Sequence, residues 1–487
     1  MSKVKIKEET MTDIADAIRA KLNTEQKYKP SEMAETVLSI GARTSIGGAH
    51  IDEYFSSNSS VSPNTFIEFE NSYQNNEIEC FSENFFAKAV LNDDFFVIVY
   101  NDLSNLKISL CKFESQGVSI VSTINLASTM YGCLATVVAL SEEKVLVIYY
   151  KNEETPDLYG VVCNISVLEE SIVKGEEASI SMRSNLFLSK SLCYLGGGRV
   201  FFSAISSDSS RVSGCVIEIT NMSIEVIGTL SFTMSGEPLL PPITEKMTAT
   251  ADSTDAIMVF STNTGVWASI LTVSDIGIPS QGANVLVNTS ETNVSGANLD
   301  ALYIGEYNSK KYSLILYDEV VYTPPAEGYG TIYGCICVVD GSSVIIGNPI
   351  QLSEENTHFP LIQSFQGFLL SKGGEYEAQI GYIEASNTLR LSRAKISGNS
   401  IEFIEDILLD EEPPYDPPNQ FSQIEAGGLD DKKGFLFYMA APSNLRVIGI
   451  ECRVKTSNTK IDGLTRTKCT SSTKGEVFVL LDNQAGL

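Results

Sequence analysis

Three pairs of neighbouring carboxylates are the first residues that could do chemistry: Asp93-Asp94, Glu142-Glu143 and Asp430-Asp431. Paired acids serve glycoside hydrolysis when they flank a substrate, converging from different elements on a cleft. These pairs instead recur at one kind of place, a short polar turn ahead of an apolar run, and read as solvated loop ends. Metal and nucleophilic chemistry find less material. There are two histidines, His50 and His358, far apart, and ten cysteines without a Cys-x-x-Cys pair. A zinc site needs several close nitrogen or sulfur ligands, so no metal is expected. Gly196-Gly197-Gly198 lies between apolar runs and precedes no helix, so it is a tight turn and not a phosphate cradle. No catalytic residue and no cofactor follow from these groups, and the expectation is a protein that is not an enzyme.

The elements that must position any other site are strands. Apolar runs recur from Thr65 onward, marked by Phe96, Val145, Val200, Ile257, Leu314, Phe368 and Phe435, at separations of 49 to 67 residues. Repeats of this length built only of strands specify an all-β fold, a seven-bladed β-propeller. Each repeat reads as a weaker strand, a tight turn, the apolar strand, then a third and a fourth strand. The central runs are apolar on both faces, which suits sheets covered on both sides. Cys111, Cys163, Cys215, Cys335 or Cys337, and Cys452 fall in third strands. They are expected to be small buried side chains, reduced and unpaired, because equivalent positions of successive blades lie beyond bonding reach. The last repeat is short of a fourth strand, which either Thr65–Glu70 or Glu476–Leu481 is expected to supply.

Residues 1–41 read differently, as a small N-terminal helical segment. Met11, Ile14, Ala15, Ile18 and Leu22 form one stripe at helical spacing, capped by Thr10 or Thr12. Pro30-Ser31-Glu32 opens a second helix with Met33, Val37 and Ile40 on its apolar face, and Gly41 stops it. Helices this short bury no core alone. Ile14, Ile18, Leu22, Met33 and Val37 are therefore candidate attachment residues, facing another protein, a copy of this chain, or its own propeller. Residues 42–64, with Gly47, Gly48 and a Ser/Asn-rich run, read as a linker, and 65–487 as the propeller.

The formal net charge of −27 repels nucleic-acid phosphates and anionic lipid. No apolar run approaches the roughly 20 residues of a membrane span, and the charged N-terminus has no secretory h-region. The expected partners are proteins, neutral glycans or cationic surfaces, with no nucleic acid and no membrane insertion. In a propeller, the loops between second and third strands and those between blades share one face. Tyr322 and Tyr329, with Tyr317 at the loop's edge, are placed there. So are Tyr415 of the Pro-rich Glu411–Asn419 stretch and Tyr376. Exposed aromatics among polar groups suit sugar stacking, and these five tyrosines are the candidate ligand-binding residues; the equal alternative is that they pin their own long loops.

The stretch Met11-Thr12-Asp13-Ile14-Ala15-Asp16-Ala17-Ile18-Arg19-Ala20-Lys21, followed by Lys29-Pro30-Ser31-Glu32-Met33-Ala34-Glu35, resembles a module of tail-associated structural proteins. Those proteins belong to phages of Gram-positive and gut bacteria, where the module commonly precedes a variable domain. Asp462-Gly463-Leu464-Thr465-Arg466-Thr467 and Gly475–Val479 resemble their closing segment, with a departure at Cys469 and Ser471-Ser472-Thr473. The resemblance implies a bacteriophage virion protein of a tail fibre, baseplate or capsid fibre. It would assemble in the host cytoplasm, leave by lysis, dock to other virion proteins through its helices and contact the host surface. Two rivals remain: a propeller glycan hydrolase or lyase, with acidic or basic residues converging at the central channel, and a purely architectural spacer.

Overall fold

The computed structural model describes residues 64–79, 86–102, 105–114, 117–128, 135–150, 157–183, 192–205, 212–234, 236, 238, 243–247, 255–289, 294–321, 329–354, 365–372, 375–384, 388–410, 424–430, 432–441, 444–459, 466–473 and 476–482. The expected helical segment, with Ile14, Ile18, Leu22, Met33 and Val37, lies outside them, as do His50 and His358.

The described chain is a seven-bladed β-propeller, each blade a four- or five-stranded antiparallel sheet. Blade I is Phe86–Val90, Phe95–Asp102, Asn105–Glu114 and Gly117–Ser128. Blade II is Ala135–Ser141, Lys144–Tyr150, Asp157–Ser166 and Ser171–Arg183. Blade III is Leu192–Gly196, Arg199–Ile205, Val212–Thr220 and Ser223–Ser231. Blade IV runs Ile243–Lys246, Asp255–Thr262, Gly265–Val273, then Pro279–Gln281 and Val285–Thr289, both paired to its third strand. Blade V runs Val294–Tyr307, Lys310–Val321, Tyr329–Asp340, then Ser343–Ile346 and Ile350–Gln351 in the same way. Blade VI is Phe365–Lys372, Glu375–Ile383, Leu389–Ser397 and Ser400–Asp410. Blade VII is Ile424–Gly428, Lys433–Ala441 and Asn444–Thr459, and its outermost strand is Asn64–Glu79. Of the two segments expected to complete the last repeat, the N-terminal one does so. Glu476–Asp482 instead pairs with Arg466–Thr473 in a two-stranded sheet of its own.

Two compact units divide the chain: Tyr73–Leu370 with Tyr376–Glu451, and Met1–Ser72 with Ser371–Glu375 and Cys452–Leu487. In the larger unit the first strands of blades I to V touch in succession, and that of blade VII touches that of blade I. The core lies between blades, in apolar layers joining I, II and III, III and IV, IV and V, V and VI, and VII and I. Phe96 of blade I stacks on Phe435 of blade VII with ring centroids 4.1 Å apart. Gly434 has a packing reason: a Cβ there would sit 2.1 Å from the Phe368 ring of blade VI.

The turn between first and second strands uses side chains or glycines in place of extended backbone. Asn92 Oδ1 accepts the Asp94 and Phe95 amides at 3.1 and 3.0 Å, and Asp430 Oδ1 accepts those of Lys432 and Lys433 at 2.6 Å. In blade III, Gly197 and Gly198 take φ of +59° and +78°, which costs glycine little. Asp93, Asp94, Glu142 and Glu143 are exposed at these turns. Cys111, Cys163, Cys215, Cys335 and Cys337 are buried in third strands, and Cys452 lies in the third strand of blade VII.

Candidate functional site

The first strands line the centre of the ring, and what they carry there is mixed in polarity. A cavity of about 310 Å³ is bounded by Lys88, Ala89 and Val90 of blade I, Val137 to Ala139 of blade II, Leu192 to Tyr194 of blade III, Thr244 and Glu245 of blade IV, and Glu425 of blade VII. Thr244 and Glu425 are buried and Tyr194 is half-buried. The Thr244 hydroxyl has no hydrogen-bond partner among the described residues. A second concavity of about 310 Å³ lies between blades IV and V, around Asp255, Thr272 and Lys311. There Lys311 Nζ reaches Asp255 Oδ2 at 3.1 Å, and Thr272 Oγ1 bonds Ser280 Oγ at 2.9 Å.

Buried charge elsewhere holds strands together. Asp318 accepts the Asn298 amide and side-chain N–H at 2.9 and 3.0 Å. Asp300 accepts the amides of Ala301 and Gly367. Glu377 accepts from Arg393 Nε at 2.6 Å and from Gln379. In blade VI the Tyr382 hydroxyl donates to Asp406, whose other oxygen faces Arg390 Nε at 3.4 Å. Burial pushes the Asp406 pKa above the usual carboxylate range, while Tyr382 and Arg390 pull it back. Among the described residues no group of three His, Cys, Asp or Glu could hold a metal.

Of the five candidate tyrosines the structure describes Tyr317, Tyr329 and Tyr376, and these three do not gather. Tyr317 is fully buried, its ring stacked on Tyr333 at 5.7 Å. It was expected at a loop edge, but the strand Lys310–Val321 extends past it, and Tyr317 pairs with Tyr333 inside the sheet. Its position is a repeated structural one. Tyr100, Tyr149, Tyr317, Tyr382 and Tyr438 oppose Lys107, Tyr159, Tyr333, Arg390 and Arg446 in their blades. The Tyr100 hydroxyl bonds Ser109 at 3.1 Å, and that of Tyr149 donates to Glu177. Tyr329 opens the third strand of blade V, paired with Val321. Tyr376 is exposed but pairs with Ile396, just past the turn between first and second strands. It therefore lies on the face opposite the one expected. Tyr307 is also exposed, at the corresponding turn of blade V, and Tyr303 lies near enough for Tyr376 to act on its hydroxyl. Burial first, then Glu306 and Tyr376, raise the Tyr303 pKa. Tyr322 and Tyr415 lie outside the described residues.

The channel residues Lys88, Tyr194, Thr244, Glu245 and Glu425 were not singled out from sequence. They sit in the weaker first strands, whose short mixed patterns carry little signal.

No protein-family model matches the sequence, and no curated protein does. Solved structures match at low identity. A protein from Lactobacillus plantarum is 10% identical, with a TM-score of 0.44 over 67% of this chain and 85% of that one. The WD40 domain of Toxoplasma gondii coronin is 7% identical, with a TM-score of 0.44 over 84% and 91%. Aleuria aurantia lectin, in complex with Fucalpha1-6GlcNAc, is 11% identical, with a TM-score of 0.38 over 69% and 99%. Matches of this identity and TM-score carry no argument about this chain.

Proposed function

We propose that this chain is a bacteriophage virion protein whose propeller binds the host surface without cleaving it, while the N-terminal segment attaches it to the particle. The carrying observation is how the charged side chains are used. Asp300, Asp318, Glu377 and Asp406 are engaged with backbone amides, Asn298, Arg393, Tyr382 and Arg390. Acid–base catalysis requires such groups to face a substrate; Lys88, Glu245 and Glu425 do line the channel cavity, so the glycan hydrolase or lyase is the rival that the reducing-end assay below decides. The channel cavity, by contrast, has the mixed apolar and sparse polar lining of a ligand site. The charge of −27 disfavours adhesion to anionic walls by bulk electrostatics, so contact is local, and many copies on a particle supply avidity. The phage assignment rests on the terminal resemblances around Met11–Lys21 and Asp462–Thr467.

The test is to incubate purified protein, displayed multivalently, with host cells and isolated wall glycans. Retention without new reducing ends is expected. Released reducing ends would overturn the non-enzymatic reading, and absence of retention would favour the architectural spacer.

A further inference from the structure

We propose that the seam between blades V and VI binds an alkylated ammonium group, on the face of the turns between first and second strands, with Tyr303, Tyr307, Tyr376 and Glu306 as the residues that hold it. This rests on the binding reading above and gives it a ligand class.

Two blades supply the aromatic surface. In blade VI, Tyr376 keeps the strand alternation of Ala378 and Ile380, whose side chains pack in the apolar layer shared with blade V, so its ring continues that layer to the surface. In blade V, Tyr312 packs against the same layer. Tyr303 lies within electrostatic reach of both Tyr376 and Glu306. Tyr307 is 69% exposed and Tyr376 39%. Large side chains exposed together mark interaction sites. The side chains of Tyr303, Tyr307, Tyr376 and Glu306 make no hydrogen bond or ion pair with another described residue, so all four are open to a ligand.

Charge selects the ligand. The lysines of the blade V turn are engaged: Lys310 Nζ holds Asp340 at 2.8 Å, and Lys311 Nζ holds Asp255 at 3.1 Å. Among the described side chains of that turn, Glu306 is then the charge without an opposite partner, and it sits beside electron-rich ring faces in a chain of net charge −27. Anions are repelled. A cation is attracted by the carboxylate and by the rings, whereas a neutral sugar uses the rings without the charge. A primary ammonium is compact and keeps its water tightly. An alkylated one is weakly hydrated and lays its methyl groups on aromatic faces.

The experiment titrates the full chain with choline, its uncharged tert-butyl isostere, Nα-acetyl-lysine amide and methyl glucoside, followed by ligand-observed NMR. Host-cell retention is measured on the same preparations. Choline should bind wild type in the millimolar range, about fivefold tighter than the isostere, and more weakly as salt rises. Tyr376→Leu keeps apolar bulk and loses the ring, so it should weaken choline about two- to fivefold at an unchanged Tm, while Tyr376→Phe should retain binding. Glu306→Gln should weaken choline and leave the isostere unaffected.

If choline does not bind, if the isostere binds equally well, or if Tyr376→Leu binds choline as wild type does, the assignment falls. Tighter binding of acetyl-lysine amide would give the surface to a protein partner, and tighter binding of methyl glucoside would give it to a sugar; either overturns the alkylated class. Cell retention without choline binding sinks this site and leaves the host-surface reading standing. Choline binding without retention does the reverse.

Discussion

Asp300 Oδ2 accepts the Gly367 amide at 2.8 Å, tying the first strand of blade V to the first strand of blade VI. The same device recurs one blade on, where Gln366 Oε1 accepts the Ala426 amide of blade VII at 2.5 Å. A polar side chain in the inner strand of blade V, and another in that of blade VI, thus engages the backbone of the next inner strand. Asp300 is fully buried and its Oδ1 also takes the Ala301 amide at 2.7 Å, so it serves two donors that water does not reach.

Asp300→Ala is expected to cost about 2–4 kcal/mol, because it removes charge-assisted bonds and leaves the Gly367 amide unsatisfied. Gln366→Ala, a neutral bond, should cost about 1–2 kcal/mol. Urea unfolding checks both: the midpoint should fall with the slope unchanged. Wild-type midpoints would show that these contacts do not hold the ring.

The repeat was legible because second strands are buried on both faces and must be apolar. Phe96, Val145 and Phe435 announce their blades by composition alone. The third-strand cysteines were legible for the same reason. The inner strands were not, since Lys88, Thr244 and Asp300 occupy equivalent strands with unrelated chemistry. What makes them a wall or a latch is a neighbour dozens of residues away. Tyr317 misled for a related reason. A tyrosine at the end of an apolar run looks like a loop aromatic, and only pairing with Tyr333 shows that the strand continues. Strand order in the last blade was half legible: two segments had the right pattern, and only the sheet reveals that Asn64–Glu79 is the one used.

The buried thiols give a second prediction. Burial pushes Cys163, Cys215, Cys335 and Cys337 up to about 12, so almost no thiolate exists at neutral pH. These four and Cys111 should resist alkylation in the native protein. Thiols titrated in denaturant should be equal in number with and without prior reduction. A gain on reduction would reveal disulfides.

Asp406 makes stability depend on pH. Its folded pKa is raised, chiefly by burial, so the folded chain still holds the proton at pH values where the unfolded chain has released it. Within that window stability falls as pH rises, and ionised Asp406 is a cost above it. Asp406→Asn has no proton to lose. Wild type should therefore gain on Asp406→Asn as pH drops through the range just above the ordinary carboxylate value. Thermal unfolding of both proteins across that range checks this, and a gap independent of pH would count against it. Tyr382→Phe removes the donor that lowers the Asp406 pKa, so it should move the window to higher pH and cost about 1–3 kcal/mol.

The attachment role of the N-terminal segment is tested by deletion. The outermost strand of blade VII begins at Asn64, so removing residues 1–41 takes away none of the described strands. Helices of the expected length bury too little surface to fold alone, and a segment kept for its apolar stripe of Ile14, Ile18 and Leu22 needs a surface to cover it. If that surface belongs to the particle, the truncated protein should be soluble, unfold at the wild-type midpoint, and be missing from particles assembled in its presence. If the surface belongs to the propeller itself, the midpoint should drop and incorporation should persist in proportion to folded protein. Circular dichroism on the purified truncation and immunoblotting of purified particles separate the two outcomes. Normal incorporation of a fully stable truncation would remove the segment from attachment altogether.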